Sequence, residues 1–124
     1  SEVVHVQHLD AGEGIGYGST YITPEPMTIA TIPVGYADGY PRSLSNRGTV
    51  LIQGTRCPVV GRICMDQFMV AVPDTITVKP GDKVVLLGSQ GHESISALEI
   101  AALASTIPYE IFCGFSDRVP RQYI

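Results

Sequence analysis

Short apolar segments, rich in β-branched residues and separated by Gly, Pro and Asp, follow one another along most of the chain. Such segments predict strands joined by turns, because β-branched side chains pack well on a pleated surface while Gly, Pro and Asp favour turns. The predicted strands are VVHVQHL (3–9), MTIATIPVGY (27–36), TVLIQG (49–54), CPVVGRI (57–63), FMVAVP (68–73) and KVVLLG (83–88). The sequence therefore predicts a mainly β fold, a Greek-key-like barrel or sandwich.

One short helix is predicted at about residues 96–106. Ser96 followed by Glu99 has the pattern of a capping box, and the apolar residues that come next give a wide hydrophobic face. Pro108 disfavours helical angles at Ile107, so the helix is expected to end near Thr106.

Length and composition favour a single domain, residues 1–124, that binds neither nucleic acid nor a membrane. The 124 residues lack an apolar run of eighteen, the net charge is −4, and the arginines are scattered along the sequence. Three cysteines without a C-x-x-C pair favour reduced thiols in the cytoplasm. His5 and His8 would face opposite sides of a strand, so no metal site is expected.

The segment GEGIGYGSTY (12–21) places four glycines around Tyr17. The spacing does not match G-x-G-x-x-G, and no Walker Gly-Lys-Ser/Thr follows, so a phosphate-binding loop is excluded. Extended backbone from Gly16 to Tyr21 is predicted, with Tyr17, Ser19 and Tyr21 on one face. Glycines on both sides of Tyr17 would let another backbone or a ligand approach closely. A glycine-rich hairpin with packed tyrosines is the alternative interpretation.

Two further segments combine apolar strands with polar groups. In TIPVGYADGYPR (31–42), Asp38-Gly39 predicts a turn at the end of a strand. In VGRICMDQFMV (60–70), a strand would place Arg62, Cys64 and Asp66 on one face. These groups would then serve a site, or Arg62 and Asp66 would form a surface ion pair.

GYGSTY, TIPVGYADGYPR, VGRICMDQ and the closing SDRVPR occur in this order over essentially the whole chain. In these four motifs the chain resembles the C-terminal domain of bacterial alanine racemases, which interconvert L- and D-alanine with pyridoxal phosphate (PLP) and supply D-alanine for the cell wall. The resemblance implies that residues 1–124 are the β-domain of such an enzyme. The family's PLP-binding TIM-like barrel, the N-terminal domain, has no counterpart in this sequence.

The resemblance also implies roles for individual residues. Tyr17 matches the tyrosine that acts as acid/base on the PLP site of the partner subunit, and Tyr109 matches one that binds the cofactor phosphate. Met65 matches the position whose backbone N–H binds the substrate carboxylate. Three more residues match positions that line or lie near the substrate entrance: Tyr36, Arg62 and Asp66.

The cofactor is expected to be held by the N-terminal domain and not covalently by this chain. A PLP enzyme holds its cofactor on a desolvated lysine, whereas Lys79 and Lys83 flank a Pro-Gly-Asp turn. The expected partners are the barrel domains of its own and a second subunit in a homodimer, with alanine as substrate, and the isolated chain should be inactive. A non-catalytic assembly domain and the equivalent domain of a serine racemase are the alternatives.

Overall fold

The computed structural model describes residues 1–122, with only the backbone of Tyr17. Mainly β structure is confirmed. The strands are His5–Leu9 (β1), Gly14–Ile15 (β2), Tyr21–Ile22 (β3), Met27–Ile32 (β4), Thr49–Ile52 (β5), Thr55–Val60 (β6), Phe68–Val72 (β7), Val84–Val85 (β8), Gly88–Gln90 (β9) and Glu93–Ile95 (β10). Two helices follow them, Ala97–Leu103 (α1) and Pro108–Gly114 (α2).

Six strands form a curled antiparallel sheet in the order β1-β4-β7-β6-β5-β8. Neighbouring side chains in a strand point to opposite faces of the sheet. Since consecutive residues of β4 and β7 are buried, both faces of the sheet are covered there. Ala30 and Val70 belong to the main core, whereas Ile29 and Ala71 belong to a second cluster on the other face. Their register, Ile29 opposite Ala71 and Ala30 opposite Val70, keeps each pair on its own face.

The β2–β3 hairpin covers the second face with Ile15, a member of the second cluster, and carries Gly16 and Gly18 at its tip. The prediction of extended backbone from Gly16 to Tyr21 is wrong. Gly16 and Gly18 have φ of 77° and 74°, and the Ser19 amide donates to the Gly16 carbonyl at 3.1 Å. Left-handed backbone at these glycines turns the chain at Tyr17–Ser19, and because Gly18 is non-helical this turn is not a regular 3-10 helix.

The predicted helix begins where expected, because the Ser96 hydroxyl accepts the Glu99 amide at 3.1 Å, but α1 ends at Leu103. Helix α2 was not predicted. Ile107 is extended, with φ −109° and ψ 155°, as its place before Pro108 predicts. Pro108 itself occupies the first turn of α2, where its missing N–H is harmless. Within the described residues no single helix is long and apolar enough to cross a membrane; α1 and α2 reach that size only together, across a 95° bend.

Residues 61–67 form a loop between β6 and β7, so the predicted strand through Arg62, Cys64 and Asp66 is wrong. Gly61 has a φ of 80°, which ends β6. The Cys64 amide then donates to the Gln67 carbonyl at 2.9 Å and closes the loop. The three side chains consequently share no strand face.

Candidate functional site

An open groove of about 560 Å³ lies between the 61–67 loop and the segment that follows β4. Three of the residues predicted for the site, Tyr36, Arg62 and Met65, line it together. The remaining lining residues are Arg42, Ile63 and Cys64. The fold thus brings together residues from two separate sequence segments.

One wall of the groove is the 3-10 turn Tyr36–Asp38. The Asp38-Gly39 pair predicted a turn in this segment. The Asp38 carboxylate accepts the Gly35 amide at 2.9 Å, and the Asp38 amide donates back to the Gly35 carbonyl at 3.0 Å. These two bonds fix the turn, and the Tyr36 side chain at its start is 48% exposed.

Backbone hydrogen bonds join this turn to the opposite wall. The Tyr36 amide donates to the Cys64 carbonyl at 3.0 Å, and the Ala37 amide donates to the Met65 carbonyl at 3.1 Å. A Cβ atom at Gly35 would overlap both of these carbonyl oxygens, so only glycine permits the approach. This close contact explains why residue 35, the first glycine of VGYADGY, is a glycine.

These bonds also orient the Met65 amide. In a trans peptide the C=O and the next N–H point in opposite directions, so the Met65 N–H points away from the turn that binds the Cys64 carbonyl. Within the described part of the chain this N–H has no acceptor, and the Met65 side chain is 54% exposed. An available backbone donor therefore lies at the rim of the groove.

The glycine run borders the groove through Arg62. A Cβ at Gly16 would lie 3.1 Å from the Arg62 backbone nitrogen, and one at Gly18 would lie 3.3 Å from the Arg62 guanidinium. Close approach of another backbone, one of the two possibilities drawn from the sequence, is thus found at Gly16, whereas the neighbour of Gly18 is the Arg62 side chain. Tyr17 lies between these two glycines, and its side chain is outside the described part of the structure.

Asn46 fixes the position of the hairpin tip relative to the 61–67 loop. Its side-chain oxygen accepts the Gly61 amide at 2.6 Å, and its side-chain nitrogen donates to the Thr20 hydroxyl at 3.2 Å. Asn46 itself has a φ of 59°, a conformation that asparagine tolerates better than most residues. The Tyr17 segment is therefore held to the loop at its far end as well.

Two predicted site residues lie outside the groove. The Asp66 carboxylate pairs with Arg118 at 2.8 Å rather than with Arg62, so the surface ion pair considered for Arg62 and Asp66 does not form. Hydrogen bonding to Asp66 and the nearby charge of Asp38 raise the pKa of Arg118. Tyr109, at the second position of α2, is 78% exposed.

Sequence reasoning assigned no role to Arg42 or Arg118, although both lie in quoted motifs, GYPR and SDRVPR. Arg42 lines the groove, so the groove carries two guanidinium groups. Lys79 and Lys83 are exposed near the Pro80-Gly81 turn. Among the described residues no group of three or more His, Cys, Asp or Glu is arranged to hold a metal ion.

Comparison with known proteins places this arrangement in a family. Residues 1–123 match the family model of the alanine racemase C-terminal domain. The chain is 63% identical to the alanine racemase of Symbiobacterium thermophilum over 95% of its own length and 31% of the relative's. It is 54% identical to the alanine racemase of Halothermothrix orenii, over 99% of its length and 32% of that protein's.

Solved structures agree with the sequence relatives. The alanine racemase of E. faecalis superposes with a TM-score of 0.94 at 47% identity, over 99% of this chain and 32% of that one. The Bartonella henselae enzyme, solved with covalently bound pyridoxal phosphate, gives 0.92 at 39% identity over 100% of this chain and 34% of that one. The chain spans about a third of the length of these relatives. It belongs to the alanine racemase C-terminal domain family.

Proposed function

We propose that residues 1–124 form one domain of a PLP-dependent alanine racemase and supply half of its active site. The observation that carries the proposal is the position of Tyr17: it lies between two glycines packed on Arg62, beside the groove that Tyr36 and Met65 line. A tyrosine in glycine-cleared backbone at the edge of a groove that carries two guanidinium groups is well placed to meet a substrate.

Racemisation needs one group that removes the α-proton and another that delivers a proton on the opposite face. PLP, when bound, withdraws electrons from the α-carbon and so lowers the cost of removing that proton. Tyr17 is the acid/base on one face. A free tyrosine has a pKa near 10, and a nearby cation favours its ionised form. The Arg62 guanidinium beside Gly18 supplies positive charge close to this segment.

The other proposed contacts bind and orient the substrate and the cofactor. The Met65 N–H, which has no acceptor within the described residues, donates to the substrate carboxylate, and Arg42 and Arg62 attract the same negative charge. Tyr36 and Asp66 line the approach to the site. The exposed Tyr109 hydroxyl donates to the cofactor phosphate, a contact that an exposed hydroxyl can make without breaking one of its own.

The group that holds PLP covalently must come from another domain. Lys79 and Lys83 are both exposed, whereas a Schiff-base lysine works in a desolvated pocket. We assign that lysine to the N-terminal barrel of a second subunit in a homodimer. Exposed apolar side chains support a large contact, since α1 and α2 present Leu98, Tyr109 and Phe112. The three free cysteines are in keeping with the reducing cytoplasm.

Domain transplantation tests this proposal. The chain would replace the matching 31% of the Symbiobacterium thermophilum enzyme, and racemisation of L- and D-alanine would be measured with PLP. We expect activity in the transplanted enzyme and none in residues 1–124 alone. A folded, PLP-loaded transplant without activity would contradict the proposal and favour a domain that serves assembly only. Preference for serine over alanine would identify the related racemase instead, and activity of the chain alone would overturn the lysine argument.

A further inference from the structure

Arg118 connects the two walls of the groove from outside it. Its Nη2 donates to the Asp66 carboxylate at 2.8 Å, and its Nε lies 3.5 Å from the Asp38 carboxylate. Asp38 belongs to the turn that carries Tyr36, and Asp66 directly follows Met65. One guanidinium thus bridges the two segments that form the walls.

The two carboxylates differ in their surroundings. The Asp38 side chain is only 14% exposed, and its second oxygen already accepts the Gly35 amide. Asp66 is largely exposed and makes its ion pair with Arg118. Without Arg118, two carboxylates that now share a cation would be left close together, and their repulsion would push the walls apart.

The segment that carries Arg118 is itself fixed to the turn. The Ser116 amide donates to the Asp38 carbonyl at 3.1 Å, and the Ser116 hydroxyl donates to the Ala37 carbonyl at 2.9 Å. A Cβ at Gly39 would collide with the backbone of Gly114, which shows how closely the end of α2 packs on the turn. Arg118 therefore projects from a segment whose position is set by the turn, and it reaches across to the 61–67 loop.

We propose that Arg118 is a positioning residue, which holds the Tyr36 turn and the Met65 loop at the spacing that substrate entry and carboxylate binding require. The effect on substrate entry and binding rests on the proposed function. The bridge that Arg118 makes between the two walls, called the clamp below, does not. Arg118 acts through Asp38 and Asp66 and touches no group in the groove. The expected consequence of losing it is a wider, less defined groove in an otherwise intact fold.

Amide hydrogen exchange in the 124-residue chain tests the clamp without reference to activity. In Arg118→Gln, exchange of the Tyr36 and Ala37 amides should accelerate by about threefold or more, because local opening becomes easier. The Val70 amide in β7 should be unaffected. Asp66→Asn alone should act in the same direction, because it removes one end of the bridge, and in the double variant it should partly reverse the effect of Arg118→Gln, because it removes the repulsion between the two carboxylates. The matched control is Arg47→Gln, since Arg47 is exposed and has no side-chain partner among the described residues.

An unchanged exchange rate at Tyr36 and Ala37 would overturn the proposal, as would an equal acceleration throughout the sheet. In the transplanted racemase, Arg118→Gln should raise KM for alanine severalfold with a smaller effect on kcat, whereas Arg47→Gln should change neither. A loss confined to kcat would contradict a positioning role. If the transplant is inactive with wild-type sequence, the proposed function fails, and the exchange experiment still decides whether Arg118 clamps the walls.

Discussion

The amide of Tyr36 donates a hydrogen bond to the carbonyl oxygen of Cys64 at 3.0 Å, which ties the orientation of the Met65 amide to the turn on the opposite wall. The Met65 N–H, which we propose binds the substrate carboxylate, is thus placed by backbone contacts between two segments. The Met65 side chain, half exposed at the rim, takes no part in them. The proposed role of Met65 in substrate binding therefore needs its backbone N–H and not a polar side chain.

This arrangement predicts that Met65 tolerates changes of side chain but not of backbone. In the transplanted racemase, Met65→Leu should keep kcat/KM for alanine within about threefold, because Leu and Met are similar in volume. Met65→Pro removes the N–H and should lower kcat/KM by at least about tenfold. Circular dichroism and thermal melting would verify that both variants fold. Equal effects of the two substitutions would contradict binding through the backbone.

Gly35 is predicted to be intolerant of any side chain. Its φ of −145° is open to every residue, so the cost of Gly35→Ala comes from the overlap with the Cys64 and Met65 carbonyls alone. The free energy of unfolding from urea titration should fall by about 2–3 kcal/mol. Gly114→Ala is the matched control: its Cβ would meet Gly39 at an ordinary 3.5 Å and should cost nothing. Similar stabilities for the two variants would refute the close approach.

The ion pairs of Arg56 lead us to predict that the stability of the domain depends on pH. The Arg56 guanidinium bonds to Glu99 of α1 at 2.8 Å and to Glu93 of β10 at 3.1 Å. The hydrogen bond from Arg56 holds the pKa of Glu99 below its ordinary value. A lowered folded-state pKa stabilises the fold above the unfolded pKa, near 4.3, and the gain is lost as pH falls through the folded pKa.

Glu99→Gln should therefore reduce the loss of stability between about pH 6 and pH 3, relative to wild type. The difference should stay below about 1 kcal/mol, because both partners are partly exposed. Urea titrations across this pH range would measure it. Glu25→Gln serves as control, since Glu25 is exposed and has no ion pair among the described residues. Parallel pH profiles for wild type and Glu99→Gln would be inconsistent with this linkage.

The cysteines are predicted to differ sharply in reactivity. Burial raises the pKa of Cys57 to about 11, so this thiol should resist alkylation until the domain unfolds. Cys113 on α2 is exposed and should react first. Mass spectrometry after brief iodoacetamide treatment would assign the sites, and Cys113→Ser should remove the fastest one. Labelling of Cys57 in the folded chain at the rate of Cys113 would show that the core opens readily.

Much of the sheet could be predicted because β4, β5 and β7 carry apolar residues buried on both faces and are bounded by turn residues. β5 and β7 appear where TVLI and FMVAV predict them. The structure of segments rich in glycine and proline was harder to predict, since each of these residues occurs in several kinds of local structure. Pro108 was interpreted as the end of one helix and is the start of another, and positive φ at Gly16 and Gly18 gives a turn where extended backbone was expected.

Residues of the candidate site could be predicted only where they lie in a recognisable sequence motif. Tyr36, Arg62 and Met65 were named from the sequence, and the structure places them in one groove. The bridge from Arg118 to Asp66 joins residues 52 positions apart and has no local signature. Such contacts depend on how segments meet across the fold, and composition, periodicity and spacing are insensitive to them.

The most direct test replaces Tyr17 by Phe in the transplanted racemase and follows both racemisation and exchange of the α-proton with D₂O. If Tyr17 serves one face of the substrate, Tyr17→Phe should stop racemisation in both directions. It should also abolish α-proton exchange for one enantiomer while the other still exchanges, because the base on the opposite face remains. Racemisation at the wild-type rate in both directions would contradict the assignment and make Tyr17 a structural residue of the hairpin.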